Sequence, residues 1–430
     1  MSERIEDMKK RMIALLILSA FILCVLSGCK ENSRVVNYEG QDRETTTITF
    51  FGNKYEPENV MVIEEIISGF MTENPGFRVS YESLKGSEYF DALRKRMASG
   101  KGNDVFMVNH DILLELQHKR QVADLSSLSV IPEYTGQMRS QMEQNGKIYR
   151  VPTTVSAFGL YCNMDLLREH GQEVPQNLGE WEAVCSYFKN RGITPVIANN
   201  DISLKTLAIG YGFYSVYQEE RQAEVFDQIN RGEETLSGYL SSGFSIVESF
   251  IRKGFIDGEK ALDTKKTSDD LEEFIKGESP FMLTGAWAAG RVSAMQPEFG
   301  FEVHPLPVLE DGSLLVINPD TKLSVNAGSR HIDAAMKFVE YFTRAENIQK
   351  FADQQSSFNP LQGEDQAPAQ EILPLVSCYK SGRTVIGTDA LLDLPIWELT
   401  AEASQRLLAG EALDTVMDWI DLQAEEDRMP

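Results

Sequence analysis

From Thr45 onward the apolar positions keep changing period. In TTTITFFGN, Ile48 and Phe50 alternate with Thr47, Thr49 and Phe51 before Gly52-Asn53 breaks the run, which predicts a strand. Ile63, Ile66, Ile67, Phe70 and Met71 then recur at the spacing of one helix face, and Asn74-Pro75-Gly76 stops that helix. Alternation returns at Phe77, Val79 and Tyr81. Phe90, Leu93 and Met97 share the next helix face, Gly100-Lys101-Gly102 closes it, and Asp104 to Val108 is a short apolar run of the kind a buried strand carries. A β-α-β-α-β series with short connections predicts a parallel, doubly wound sheet. Ligands of such sheets bind beyond the carboxyl ends of the strands, which singles out Asn53 after the first strand and Asn109 and Asp111 after the third. The alternatives are a helix cap or turn for Asn53 and an N-cap for Asp111.

The stretch Gly146 to Asp165, GKIYRVPTTVSAFGLYCNMD, favours extended backbone, but Pro152 lacks a ladder donor and suits an edge or a crossing connection. We read it as the first crossover between two lobes; an edge strand in one large domain is the alternative. Beyond it the pattern predicts a short helix from Met164 to His170, a second ending near Asn190-Arg191-Gly192, and a buried strand from Ile193 to Ala198. Helices are expected around Leu204 to Tyr217 and Leu236 to Lys253. Strands are expected at Pro280 to Leu283, Phe301 to Pro307, Leu314 to Asn318 and Leu323 to Ala327. His331 to Thr343 is an amphipathic helix, Phe358-Asn359-Pro360 a third crossing, and Leu413, Val416, Met417 and Ile420 share one face of a terminal helix.

Within this frame a few side chains suggest chemistry. Gly285 and Ala286 beside Trp287 leave one face of the indole free, which is what stacking against the C–H face of a pyranose requires; a core tryptophan is the alternative. Arg291, four residues on, suits ring hydroxyls, a carboxylate or open solvent. Trp397, just after Asp393-Leu394-Pro395, is a second stacking or core residue.

The N-terminus changes the picture. Lys9, Lys10 and Arg11 precede an apolar run from Met12 to Val25 that is short for a bilayer span and reads as a signal segment. It ends in Leu26-Ser27-Gly28-Cys29. Residues 30–44 are polar and aperiodic, a tether. The whole chain of 430 residues carries a formal net charge of −24, which argues against nucleic acid and anionic lipid as partners. Beyond Cys29 the cysteines are Cys162, Cys185 and Cys378; three cannot all pair, and a Cys162–Cys185 disulfide is one option. No G-x-S-x-G, H-E-x-x-H, P-loop or G-x-G-x-x-G motif occurs, and the five histidines have no metal-ligand spacing, so neither a metal nor a cofactor is expected. Among 65 acidic residues no pair stands out for glycoside hydrolysis.

Several of these segments, taken together, resemble one family. GKIYRVP, GLYCNMDLL, VPQNLGEWEAV and GITPV follow one another in the order and spacing seen in family 1 bacterial extracellular solute-binding proteins, the sugar-binding lipoproteins of ABC importers. YFDALRKRMASGKGNDVFMVN is similar to a further family motif, with Asn103 where proline is common, and LEEFIKGESPFMLTGAWAAGR to the one that carries the tryptophan. The residues before Cys29 resemble a lipobox, which implies cleavage after Gly28 and lipidation of Cys29. The resemblance implies an α/β, two-lobed, type II periplasmic-binding-protein fold, each lobe a sheet flanked by helices. The expected division is a signal peptide over 1–28, a flexible tether over 29–44, a first lobe of 45–155 plus 319–358, and a second of 156–318 plus 359–430. The chain would close about crossovers near Val155, Asn318 and Phe358. It further implies a monomeric binding protein, not an enzyme, anchored by lipid on the outer face of the cell membrane and partnered by permease subunits. A sugar would stack on Trp287, Tyr161 or Trp397 and be hydrogen-bonded by Asn53, Asn109, Asp111 and Arg291. A lipid-anchored glycan-active enzyme and a ligand-binding subunit for a sensor kinase are the alternatives.

Overall fold

The computed structural model describes residues 34–36, 45–144, 146–363 and 370–428; the expected signal segment and Cys29 lie outside these. The first strands are β1 (Arg34–Val36), β2 (Thr46–Gly52), β3 (Phe77–Ser83) and β4 (Val105–Val108). β2 pairs in parallel with β3 on one side and β4 on the other, as the alternating periods predict. β1 departs from the expected tether: it adds antiparallel to β3. An open strand edge offers unpaired backbone groups to such an addition.

Phe50 and Phe51 are both fully buried although they point to opposite faces of the sheet. Phe50 packs on Phe338 and Phe342 of helix Ile332–Phe342, and Phe51 packs on Tyr89 of helix Gly86–Ala98. Helices on both faces make this the doubly wound layer that a two-sided apolar strand requires.

After a small hairpin, β5 (Glu143–Gln144) with β6 (Lys147–Ile148), comes the long strand β7 (Val151–Asn163), buried along its whole length. The remaining strands are β8 (Val196–Ile197), β9 (Phe281–Gly285), β10 (Phe301–His304), β11 (Leu315–Val325) and β12 (Thr384–Ile386). One sheet runs β1-β3-β2-β4-β11-β7-β9-β8, with β10 joined to β7 and β12 to β11. β7 pairs with β11 through Val151–Phe158 and with β9 and β10 through Phe158–Asn163, so it passes from one lobe into the other. β11 returns the same way, from β12 in the second lobe to β4 in the first. Val155 lies between Pro319 on one side and Phe358 on the other, and three passes of the chain meet there.

Two expectations are corrected and one alternative is set aside: β7 is flanked on both sides, so it is the crossover and not the edge strand. Its Pro152, opposite Lys322, sits beside a break in the ladder: Thr321 has φ +43°, and the Thr153 hydroxyl donates to Thr321 O at 2.8 Å. The two strands expected around Asn318 and Leu323 are one, since pairing with β7 carries the chain through Pro319. Cys162, Cys185 and Cys378 are separate buried thiols, so the Cys162–Cys185 disulfide does not form.

In the second lobe, helices Ile202–Gln218 and Leu236–Arg252 cross with their backbones in contact. A Cβ on Gly243 would stand 2.3 Å from Ala208 O, and one on Gly212 would stand 2.6 Å from Tyr239 O. Among the described residues no helix is long and apolar enough to cross a membrane.

Candidate functional site

Between the lobes lies a cavity of about 700 Å³, within the range of small-molecule sites. The first lobe supplies residues from the loop after β2 and the start of helix Pro57–Glu73, together with Gln354 and Gln355; the second supplies Thr267 to Glu272 and Trp287 to Met295. Asn53 sits at the mouth of β2, with a buried side-chain oxygen that no donor reaches.

A chain of polar contacts shapes the first-lobe wall. Lys54 Nζ donates to Gln355 Oε1 at 2.6 Å, Gln355 Nε2 to Asn59 Oδ1 at 2.5 Å, and Asn59 Nδ2 to Glu56 Oε2 at 2.8 Å. The other oxygen of Glu56 faces Arg291 of the second lobe at 3.6 Å. Arg291 Nη1 also donates to Thr267 O at 3.2 Å, which fixes the guanidinium at the cavity wall. Burial pushes the Lys54 ammonium below its ordinary range, with Asp320 and Glu56 opposing.

Trp287 sits in a single 3-10 turn, Ala286–Ala288, directly after β9. Its indole folds back over Gly285, where a Cβ would come within 2.2 Å of the ring, so only glycine allows this placement. The ring meets Phe158 of β7 edge-on, centroids 5.1 Å apart at 85°, and is half-buried in the cavity wall. Phe158 also touches Trp397, at 5.2 Å and 50°.

On the other side of Phe158, at Trp397, lies a buried charged cluster outside the lining of that cavity. Lys205 is 1% exposed; its ammonium lies 4.1 Å from the Trp397 ring centroid, 2.5 Å from Asp201 Oδ1, and donates to Trp397 O at 3.0 Å. Burial lowers its pKa to about 8, against the pull of Asp201. Burial, then the nearby Glu398, raises Asp111 to about 7, while Lys205 and Lys322 oppose the shift. Burial and Arg150 bring Lys322 down to about 7.

The cavity thus brings together three of the expected residues, Asn53, Trp287 and Arg291. Asp111 and Trp397 do not line it; Trp397 lies against Lys205, whose charge also acts on Asp111. Asn109 is taken up by its own helix, its Oδ1 accepting from Ile112 N at 2.8 Å as the N-cap. Tyr161 is corrected: it is fully buried, stacks on Phe301 and donates to Gly285 O at 2.8 Å, so its side chain faces the core and not the cavity. Sequence reasoning missed Lys54, Glu56, Gln355, Lys205 and Lys322. Only Lys205 carried a usable signal, a lone charge in the apolar run ISLKTLAIGYG.

His110, the buried first residue of helix His110–His118, ties the first lobe to the segment after β12. Its Nε2 lies 3.0 Å from Leu392 O, and burial with Lys322 and Arg150 close by lowers its pKa to about 3. The folded protein therefore refuses a proton that the unfolded chain accepts below its ordinary pKa of 6.5. Stability contributed by the neutral ring is complete above that value and is lost progressively as pH falls toward about 3. In urea unfolding at a series of pH values, His110→Gln, which keeps a donor, is expected to show a shallower loss of stability on acidification than the parent. Equal slopes would show that His110 is not held neutral.

A two-lobed α/β protein with a solvent-accessible cavity lined by both lobes is a binding protein of the bilobal class. Residues 57–349 match the family model of the bacterial extracellular solute-binding proteins, and the chain belongs to that family. The multiple sugar-binding protein of Streptococcus mutans is 25% identical over 337 residues, 76% of this chain and 77% of that one. The maltodextrin-binding protein MdxE of Bacillus subtilis is 22% identical over 303 residues, 68% of this chain and 67% of that one. Among solved structures, the apo form of RafE from Streptococcus pneumoniae superposes with a TM-score of 0.70 at 23% identity, over 91% of this chain and all of that one. RafE in complex with raffinose does so at 0.68 and 24%, over 89% of this chain and 100% of that one. These likenesses define the fold.

Proposed function

We propose that this chain captures a sugar or short oligosaccharide between its lobes and passes it, unaltered, to the permease of an ABC importer, held at the outer face of the membrane by lipid on Cys29. The observation that carries this reading is the interlobe cavity, with a free indole on one wall and hydrogen-bonding groups from both lobes on the others. An indole presents a flat apolar surface to ring C–H groups, while Asn53, Glu56 and Arg291 offer acceptors and donors to the hydroxyls around the ring edge. Its likeness to a multiple sugar-binding protein, a maltodextrin-binding protein and a raffinose complex of RafE supports the same class of ligand.

On this reading the lobes are 45–155 with 319–358 and 156–318 with 359–430, and they close about the triple crossing at Val155. One observation favours a second reading, a glycan-active enzyme: Asp111, raised to about 7 beside Glu398, is a carboxyl partly protonated near neutrality. Calorimetry of the purified protein with raffinose, stachyose and maltotriose, followed by recovery of the sugar, separates the two. We expect saturable one-to-one binding and intact sugar. Shortened sugar would establish the enzyme, and no binding to any of the three would count against sugar capture by this cavity.

A further inference from the structure

We infer that Asp270, which lies outside the cavity lining, is a positioning residue for ligand capture: it pins the strained turn at Thr267, whose carbonyl seats Arg291 in the cavity wall. This rests on the sugar-capture reading above. Among the described residues, six other than glycine have a positive φ. Four of them, Arg120, Glu220, Gln296 and Ser356, directly follow helix C-caps, where a left-handed residue is ordinary, and Thr321 marks the break in β11. Thr267 has no such explanation. It holds φ +52° in the turn between helices Gly258–Asp263 and Asp269–Phe274, a conformation that costs a β-branched residue free energy and persists only where the surroundings impose it. With Ser268, it lines the interlobe cavity.

The side chain that imposes it is Asp270, which is fully buried. Its Oδ1 accepts from Ser268 N at 3.1 Å and Leu271 N at 2.9 Å, and its Oδ2 from Asn199 Nδ2 at 2.9 Å. Asn199 is itself buried and fixed: its Oδ1 accepts from Asp201 N and Ile202 N at the start of helix Ile202–Gln218. Its backbone N–H donates to Ser203 Oγ at 2.8 Å, and that hydroxyl donates to Leu283 O of β9 at 2.5 Å. One buried network therefore ties the cavity turn to the strand that ends at Trp287. Burying a carboxylate is costly, and the first turn of helix Asp269–Phe274 already has the exposed Asp269 and Glu272 to complement its dipole. What Asp270 adds is its grip on the turn.

The turn presents Thr267 O to Arg291. Arg291 Nη1 donates to that carbonyl at 3.2 Å, while Nη2 lies 3.6 Å from Glu56 Oε1 of the opposite lobe. A long side chain loses rotamer freedom when it grips a ligand, and one already seated on a fixed carbonyl has lost much of it beforehand. Lys54, the other cation of the lining, is held from the first lobe by Gln355 and does not depend on this turn. Asp270 thus acts on affinity through Arg291.

Calorimetry with maltotriose, raffinose and stachyose on the parent, Asp270→Asn, Arg291→Met and the double variant tests this. For a sugar that the parent binds, Arg291→Met should weaken affinity about ten- to a hundredfold, the effect of losing a hydrogen bond to a charged group. Asp270→Asn sets an amide donor against backbone or Asn199 donors and should weaken affinity about three- to tenfold, but by less than about twofold in the Arg291→Met background. Thr267→Pro, which forces φ to about −65°, should repeat that pattern, so if one of the two variants fails to fold the other decides. The inference is overturned by Arg291→Met binding like the parent, by losses of the same size with and without Arg291, or by variants that melt lower yet bind as before; each leaves sugar capture standing. A parent that binds none of the three sugars would overturn the sugar reading, and this inference with it.

Discussion

Trp287→Ala is expected to weaken binding of the captured sugar by roughly 1 to 3 kcal/mol, about five- to 150-fold in affinity, with little change in the melting temperature of the free protein. The indole is half-buried in the cavity wall, where its only aromatic neighbour among the described residues is Phe158, so its removal takes away contact area for the ligand more than packing for the lobe. Tyr161→Phe makes the contrast. That ring is fully buried and its hydroxyl donates to Gly285 O, so the variant should cost about 1 kcal/mol of stability and leave affinity unchanged. Titration calorimetry and thermal unfolding on both variants check the assignment. A Trp287→Ala protein that melts lower but binds as before would move Trp287 from the site to the core.

The largest expected effect on stability is that of Gly243→Ala, although it adds a single methyl group. The added Cβ would stand 2.3 Å from Ala208 O and 2.6 Å from Ala208 Cα, both backbone atoms of the facing helix, so no side chain can rotate out of the way. The two helices must separate, and overpacking of this kind costs about 3 kcal/mol, which for a lobe of this size lowers the melting temperature by roughly 6 to 12 °C. Gly76→Ala is the matched control, since a Cβ there meets nothing within 4 Å. Differential scanning calorimetry should show the loss for Gly243→Ala and not for Gly76→Ala. Equal melting of the two would mean the helices do not approach as closely as described.

Much of the first lobe was legible because its signals are local. The spacing of Ile63, Ile66, Ile67 and Phe70 predicts a helix face, and all four are buried on helix Pro57–Glu73. The GAW turn placed Trp287 after a strand end, and the structure puts it there. Other features depend on partners far away in the chain. Pro319 looks like a break between two strands until β7 pairs across it. Tyr161 and Phe158 lie on the same strand with nothing local to tell them apart. Neighbours from β9 and β10 bury Tyr161, while Trp287 and Trp397 close on Phe158 from later in the chain. Asn109 and Asp111 carry the same expectation in sequence, and only the local hydrogen bond to Ile112 N shows that Asn109 is spent as a cap.

What the amino-acid order determined by itself is the succession of helices and strands, the doubly wound first lobe and the family resemblance, because each is written in the spacing of neighbouring residues and is set by burial of one face. Which polar groups end up without partners was decided by the tertiary structure alone. Asn53 becomes an unfilled acceptor on the wall of a cavity only when the second lobe supplies Trp287 and Arg291 opposite it, and no local pattern encodes a contact that is missing.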